Sequence, residues 1–174
     1  MAQRPQQRGL PIAVIDNSLL SRLVELEIAK FLPFLFKQIL IPPEVKREAY
    51  KAPHKGKRRL RKLINEMSGF FIDCNEFDEL IKAYLKVDLD EGEAAAIAQA
   101  DYTQSILLLD EKKGYKRAEK MQITIIRTAN LLNMLKKSGA IAEVKPYLLR
   151  LVEELGFYLK EKERQRLLAE VEEE

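Results

Sequence analysis

Two short apolar runs, each stopping on an acid, constrain this chain more than any other feature. Ile12, Ala13, Val14 and Ile15 run into Asp16, and Ser105–Leu109 runs into Asp110. Four or five unbroken apolar residues bounded by polar ones read as a strand buried on both faces, as the inner strands of parallel sheets are. An acid at the carboxyl end of such a strand lies on the edge of the sheet where ligands bind in open α/β folds. Asn17 and Ser18 suit the start of a helix.

Three further strands are expected at Gln38–Ile41, Phe70–Ile72 and Ile123–Ile126, with helical stretches between them. Leu19, Leu20, Leu23 and Leu26 repeat at helical spacing after Asp16. Helices are also read at about 27–36, with Pro33 as a kink, from Glu44, across 57–67, and over 77–85. Asp90-Glu91-Gly92-Glu93 opens an Ala-rich helix over 94–100. More helices follow at about 111–121, 129–137, 143–155 and 160–173. Strands alternating with helices give a three-layer α/β/α sandwich around a central, mostly parallel sheet of about five strands. The organisation expected is a leader over 1–10, one domain over 11–159, and a charged terminal helix over 160–174. That helix has Leu167, Leu168 and Val171 as a narrow apolar stripe, suited to its own domain or to a second chain.

Composition narrows the chemistry. With 47% hydrophobic and 33% charged residues in 174, the chain can bury a core. A net charge of +3, from 30 Lys and Arg against 27 Asp and Glu, permits a nucleic-acid partner without requiring one. Cys74 stands alone, which excludes an internal disulfide and a cysteine-built zinc site, and the single His54 counts against His-based triads and His-rich metal sites. A reducing cytoplasm suits this usage. No apolar stretch is long enough to span a membrane. Any catalysis rests on carboxylates, hydroxyls, Lys and Arg.

All strand ends of a parallel sheet share one edge, so Asp16 and Asp110 are expected there. Glu93 and Glu48 can reach the same edge from neighbouring helices. Two carboxylates about 4 Å apart repel by roughly 4 kcal/mol at an effective dielectric near 20, so such a cluster needs a cation. All-oxygen ligands favour Mg²⁺ or Mn²⁺ over zinc. Each acid also has a plain structural use. Asp16 and Asp110 can cap helices, Asp90 and Glu93 fit an acid-x-x-Glu capping pattern, and Glu48 can be a solvated helix residue. Whether Asp90, Glu91 or Glu93 is the acid from the helix start stays open.

Four segments in order resemble the PIN-domain nucleases, in particular the stand-alone prokaryotic branch close to the VapC-type toxins. They are Val14-Ile-Asp16-Asn-Ser18, Ile41-Pro-Pro-Glu-Val-Lys-Arg-Glu48, Gly92-Glu93-Ala-Ala-Ala-Ile-Ala98 and Leu107-Leu-Leu-Asp110-Glu111. The resemblance runs from about Ile12 to Leu159. It implies a ribonuclease site of Asp16, Glu48, Glu93 and Asp110, with Asp16, Glu93 and Asp110 as ligands of one or two Mg²⁺ or Mn²⁺ ions. Asn17, Ser18 and Glu111 would support it, Ser18 by orienting Asp16. It further implies single-stranded RNA as substrate, single-stranded DNA as the lesser option, and products with 5′-phosphate and 3′-hydroxyl ends. A homodimer is expected and, for toxin members, an antitoxin partner. Leu19 stands where Pro is common, Glu111 where a second Asp is, and Arg127-Thr128 where Gly-Thr is usual.

Basic residues are candidates for phosphate contact. Lys112, Lys113, Lys116 and Arg117 follow Asp110 directly, and Lys57, Arg58 and Arg61 belong to the densest basic run. Thr128 joins them as part of the altered loop. The aromatics read as core, with no evident base-stacking platform. Two other readings compete. A phosphoaspartate phosphatase of the haloacid-dehalogenase kind also starts with a strand-end Asp, but wants a second Asp two residues on, where this chain has Ser18. A binding or scaffold module would keep the fold and lose turnover.

Overall fold

A computed structural model of the chain describes residues 9–51 and 54–174, the side chains of 54–57 excepted. Most of the expected leader and the side chain of Lys57 therefore lie outside the described residues.

Five short strands form one sheet: β1 Ile12–Ile15, β2 Gln38–Ile41, β3 Phe71–Asp73, β4 Ile106–Leu108 and β5 Ile125–Ile126. Every pairing is parallel and the spatial order is β3-β2-β1-β4-β5. β1 is the middle strand. Ala13, Val14 and Ile15 have no exposed surface, as an apolar run without polar alternation requires. The chain winds outward from β1 to β3, then returns to β4 on the other side of β1. The reversal of winding falls between β1 and β4, and a crevice opens there at the carboxyl ends of the strands. Ile15 pairs with Leu108, so Asp16 and Asp110 leave the same edge.

The helices are α1 Asn17–Glu25, α2 Pro43–Lys51, α3 His54–Glu66, α4 Glu79–Leu85, α5 Glu91–Thr103, α6 Lys112–Lys120, α7 Thr128–Lys137, α8 Lys145–Glu153 and α9 Glu161–Ala169. They fall into two groups. α1 packs with α2, α3 and α7, whereas α5 packs with α4 and α6 and lies on β1 and β4. α2 and α5 meet across the top of the sheet. The expected α/β/α sandwich is the observed one. α5 is buried from Gly92 through Ala100, and its alanines explain how: small side chains let the helix backbone lie close to the strands, in a residue type that also favours helix most.

Several elements are shorter than their patterns suggest. The stretch expected as a helix over 27–36 is a 3₁₀ helix, Ala29–Phe34, containing Pro33. Proline has no N–H for an i→i−4 bond and its ring opposes the preceding turn, so an α-helix does not propagate through it. Glu27, at φ 59°, separates this segment from α1. α8 begins at Lys145 with Pro146 in its first turn, where a proline is tolerated. α9 ends at Ala169, and its stripe is covered: Leu167, Leu168 and Val171 are buried. Asn133 Nδ2 on α7 donates to the Leu167 carbonyl at 2.8 Å, and Lys136 Nζ to the Val171 carbonyl at 2.7 Å. No helix among the described residues is long and apolar enough to cross a membrane.

Candidate active site

Asp16 is where β1 becomes α1. Its backbone is still extended (φ −85°, ψ 157°) and its N–H donates to the Leu108 carbonyl at 3.0 Å, extending the sheet ladder. Its carboxylate caps the helix. Oδ2 accepts the Ser18 N–H at 3.0 Å and the Ser18 hydroxyl at 2.6 Å. Capping and site placement are thus one feature, since the cap fixes the rotamer that holds the carboxylate at the crevice. Asp16 is buried, and burial pushes its pKa up against the Ser18 hydrogen bonds that hold it down, with the charge of Asp90 adding to the rise. Asn17 turns away and accepts a bond from the Ser21 hydroxyl at 3.4 Å.

Glu48 reaches the same place from α2. Its Oε1 accepts the Gly92 N–H at 2.9 Å, at the start of α5. Gly92 is the residue that permits this: a methyl group there would stand 2.7 Å from Glu48 Cδ. The Glu48 pKa is raised by burial and by the charges of Asp90 and Asp16. Glu93 sits on the first turn of α5, its N–H donating to Asp90 Oδ1 at 2.8 Å. Its pKa is pushed up to about 7 by burial first, then by Asp90 and Asp16. Among the described residues, no lysine or arginine lies within ion-pair distance of Asp16 or Glu93. Asp90 therefore does two things. It caps α5, and it adds a negative charge that each of the three other acids feels.

Asp110 is placed differently. Its Oδ1 accepts the Thr128 N–H at 2.8 Å, and its Oδ2 accepts both the Thr128 hydroxyl at 2.6 Å and Arg22 Nη1 at 2.8 Å. It is a buried carboxylate already satisfied by protein donors. Among the described residues, no three acids, histidines or cysteines are drawn close enough together to hold a metal ion. The chemistry of the donor set nevertheless suits one. Asp16, Glu48 and Glu93 are oxygen donors whose pKa values are raised first by burial and then by the charge of Asp90, and a hard divalent cation is what such a set accepts.

The structure changes the role of several candidates. Thr128 is fully buried with both its donors spent on Asp110, so it is not a phosphate contact. It gains that position because α7 starts immediately after β5, beside β4. Arg117 turns to α4, where it donates to the Tyr84 hydroxyl at 3.0 Å, and pairs with Asp88 in the turn that follows. Arg58 is exposed, and Arg61 lies 4.8 Å from the Tyr50 ring, both on α3. Neither lines the cleft beside Asp110, and nor does Lys113. Lys112, Lys116 and Glu111 do line it. Arg22 is the functional candidate the sequence did not disclose. It is an ordinary helix residue by pattern, and its partner lies 88 positions away.

Comparison with known proteins agrees with this architecture. A family model described as a PIN domain matches residues 12–173. No curated protein matches the chain. The match takes in every strand, all four acids and α9, and so the chain belongs to the PIN-domain family, whose members are generally nucleases acting on nucleic acid.

Proposed function

We propose that the chain is a divalent-cation-dependent nuclease that hydrolyses phosphodiester bonds of single-stranded RNA. The observation that carries this is the set of carboxylates at the crevice of the sheet: Asp16 and Glu93 are buried, Glu48 is half-buried beside them, and burial first, then the charges of Asp90 and Asp16, push the Glu93 pKa up to about 7. Asp16, Glu48 and Glu93 would hold the cation, with Asp110 as the acid whose charge Arg22 neutralises until an ion does so. A bound Mg²⁺ or Mn²⁺ supplies Lewis-acid stabilisation of phosphoryl oxygens and a water acidic enough to attack phosphorus. The chain's own residues supply the rest. Ser18 fixes the Asp16 rotamer, Gly92 holds Glu48 through its N–H, and Lys112 and Lys116 attract the phosphate backbone.

The test is cleavage of labelled single-stranded RNA and DNA by purified protein with Mg²⁺, with Mn²⁺ and with EDTA, beside Asp16→Asn. Cleavage that requires the cation and falls at least about a hundredfold in the variant is expected, as for loss of a group that stabilises transition-state charge. Cleavage that ignores EDTA or survives the substitution sinks the proposal. Metal binding without cleavage of any nucleic acid supports the scaffold reading instead.

The finer expectations belong to the same reading. A toxin acting in the cytoplasm arrests bacterial growth on induction, and Asp16→Asn relieves the arrest; a wild type without effect on growth counts against the toxin role and against a need for an antitoxin. A homodimer has a surface to use. Leu80, Tyr84 and Val87 fall on one face of α4 and the turn after it, with 82%, 62% and 79% of their surface exposed. Light scattering is expected to give twice the chain mass for wild type and the chain mass for Leu80→Lys with Val87→Lys.

A further inference from the structure

Beside Asp110 a cleft of about 620 Å³ opens between α6 and the segment that links α8 to α9. Gly156, at φ 63°, lies just past the end of α8 and leads into a strap over 157–160 that is neither helix nor strand. Side chains alternate along it. Phe157 is buried, and Tyr158, next to it, has 77% of its surface exposed on the wall of the cleft. The strap is pinned from beneath. The Arg22 guanidinium lies 5.3 Å from the Phe157 ring centroid and that of Arg127 lies 4.9 Å from it. Arg22 is the same residue that grips Asp110. The phenol ring is thus mounted on an anchored segment linked through one side chain to the acid edge.

The cleft carries charges of both signs. Asp110, Glu111 and Glu119 line it, and Arg127 is paired with Glu163 at 3.7 Å. Lys112, Lys116 and Lys160 also line it, and none has a carboxylate within ion-pair distance among the described residues. Unpaired ammonium groups around a mounted aromatic ring match the two parts of a nucleotide: lysines take phosphates and the ring takes the face of a base. A duplex hides its base faces in the stack, so the ring can be used only by an unpaired strand.

Resting on the nuclease reading, we infer that this cleft is the binding track for a single-stranded oligonucleotide leaving the acid cluster, with Tyr158 stacking on a base and Lys112, Lys116 and Lys160 holding the backbone. An unpaired aromatic in the sequence gives no sign of this. Tyr158 becomes a platform only because the strap between α8 and α9 is brought beside α6.

Fluorescence anisotropy with a labelled single-stranded RNA, in EDTA so that no cleavage occurs, tests it on the full chain. Tyr158→Ala is expected to weaken binding about tenfold, the effect of losing one stacked base, and Tyr158→Phe to change it less than about twofold. Tyr102→Ala is the control, because Tyr102 is an exposed tyrosine at the far end of α5 and should leave affinity unchanged. Lys112→Gln with Lys116→Gln is expected to flatten the dependence of log affinity on log salt by about 1.4 for a single strand. Equal affinity for Tyr158→Ala and wild type overturns the inference, as does duplex RNA bound as tightly as single strands. A glutamate-rich peptide bound as tightly as the oligonucleotide assigns the cleft to an acidic protein segment and also overturns it. The two proposals separate cleanly. Binding that needs Tyr158 in a protein that never cleaves overturns the nuclease reading and keeps this one. Cleavage with an unaltered KM in Tyr158→Ala overturns this one and keeps the nuclease.

Discussion

Gly92 shows how a single missing carbon positions an acid. Its N–H holds Glu48, and a Cβ in its place would meet the Glu48 carboxylate rather than backbone. The clash is therefore with the end of a flexible side chain, which can move aside while α5 stays intact. Alanine also favours a helix by roughly 0.5–1 kcal/mol over glycine. Gly92→Ala is expected to melt within about 3 °C of wild type, or slightly above it, while cleavage falls at least about tenfold. A variant that unfolds early, or one that cleaves normally, counts against Gly92 as the residue that positions Glu48. Arg22 makes the complementary case. Breaking a buried ion pair by removing one partner costs about 3–5 kcal/mol, and Arg22 keeps 19% of its side-chain surface exposed, so Arg22→Met is expected to cost about 2–4 kcal/mol in EDTA. Millimolar Mg²⁺ should recover more stability in Arg22→Met than in wild type, because the freed Asp110 is then open to the cation. Equal recovery in chemical denaturation would remove Asp110 from the ligand set.

At the level of elements, the strands and the helices that carry acids were legible because their patterns are local. Ile12–Ile15 ends on Asp16, and Gly92-Glu93 opens an alanine helix; both statements need only neighbours along the chain. What the sequence could not disclose depends on distant contacts. Arg22 finds Asp110 across the β1–β4 crevice, Thr128 spends its hydroxyl inside the core, and Arg117 goes to Tyr84 on α4. Element lengths were overread for a related reason. β5 is only Ile125–Ile126, at the sheet edge with one neighbour, so a four-residue apolar run has fewer ladder bonds to form. The α9 stripe was readable as a docking face but not its partner. α7 supplies it, with Leu167 almost wholly buried and its carbonyl held by Asn133. Leu167→Ala is expected to cost about 2–4 kcal/mol in urea denaturation, as a buried leucine cut to a methyl does. A loss below about 0.5 kcal/mol would mean that α9 is not packed on α7 in solution.

For the whole molecule, the acid cluster is expected to tie folding to pH and, on the nuclease reading, to cations. Asp16, Glu48 and Glu93 all have raised pKa values, with Glu93 at about 7 against an ordinary 4.5. Between those two values the native state keeps a proton on Glu93 that the unfolded chain has lost. Stability therefore falls as pH rises through that window, with the full penalty present above about pH 7 and absent below about 4.5. Discounted for the part of the carboxylate that solvent reaches, the Glu93 share is about 1–2 kcal/mol. Glu93→Gln removes the charge and keeps the shape, so it is expected to be more stable than wild type at pH 8 and equal to it at pH 5. A cation held by the cluster binds the native state and the ionised form of these acids, so Mg²⁺ should raise the wild-type Tm more at pH 8 than at pH 5, and should do little for Glu93→Gln at either. Thermal melts at the two pH values, with Mg²⁺ and with EDTA, measure all of this together. Two results would dissociate the cluster from both pH and cation: a wild-type stability that rises from pH 5 to pH 8 with the same slope in Glu93→Gln, or an Mg²⁺ shift that the substitution leaves unchanged.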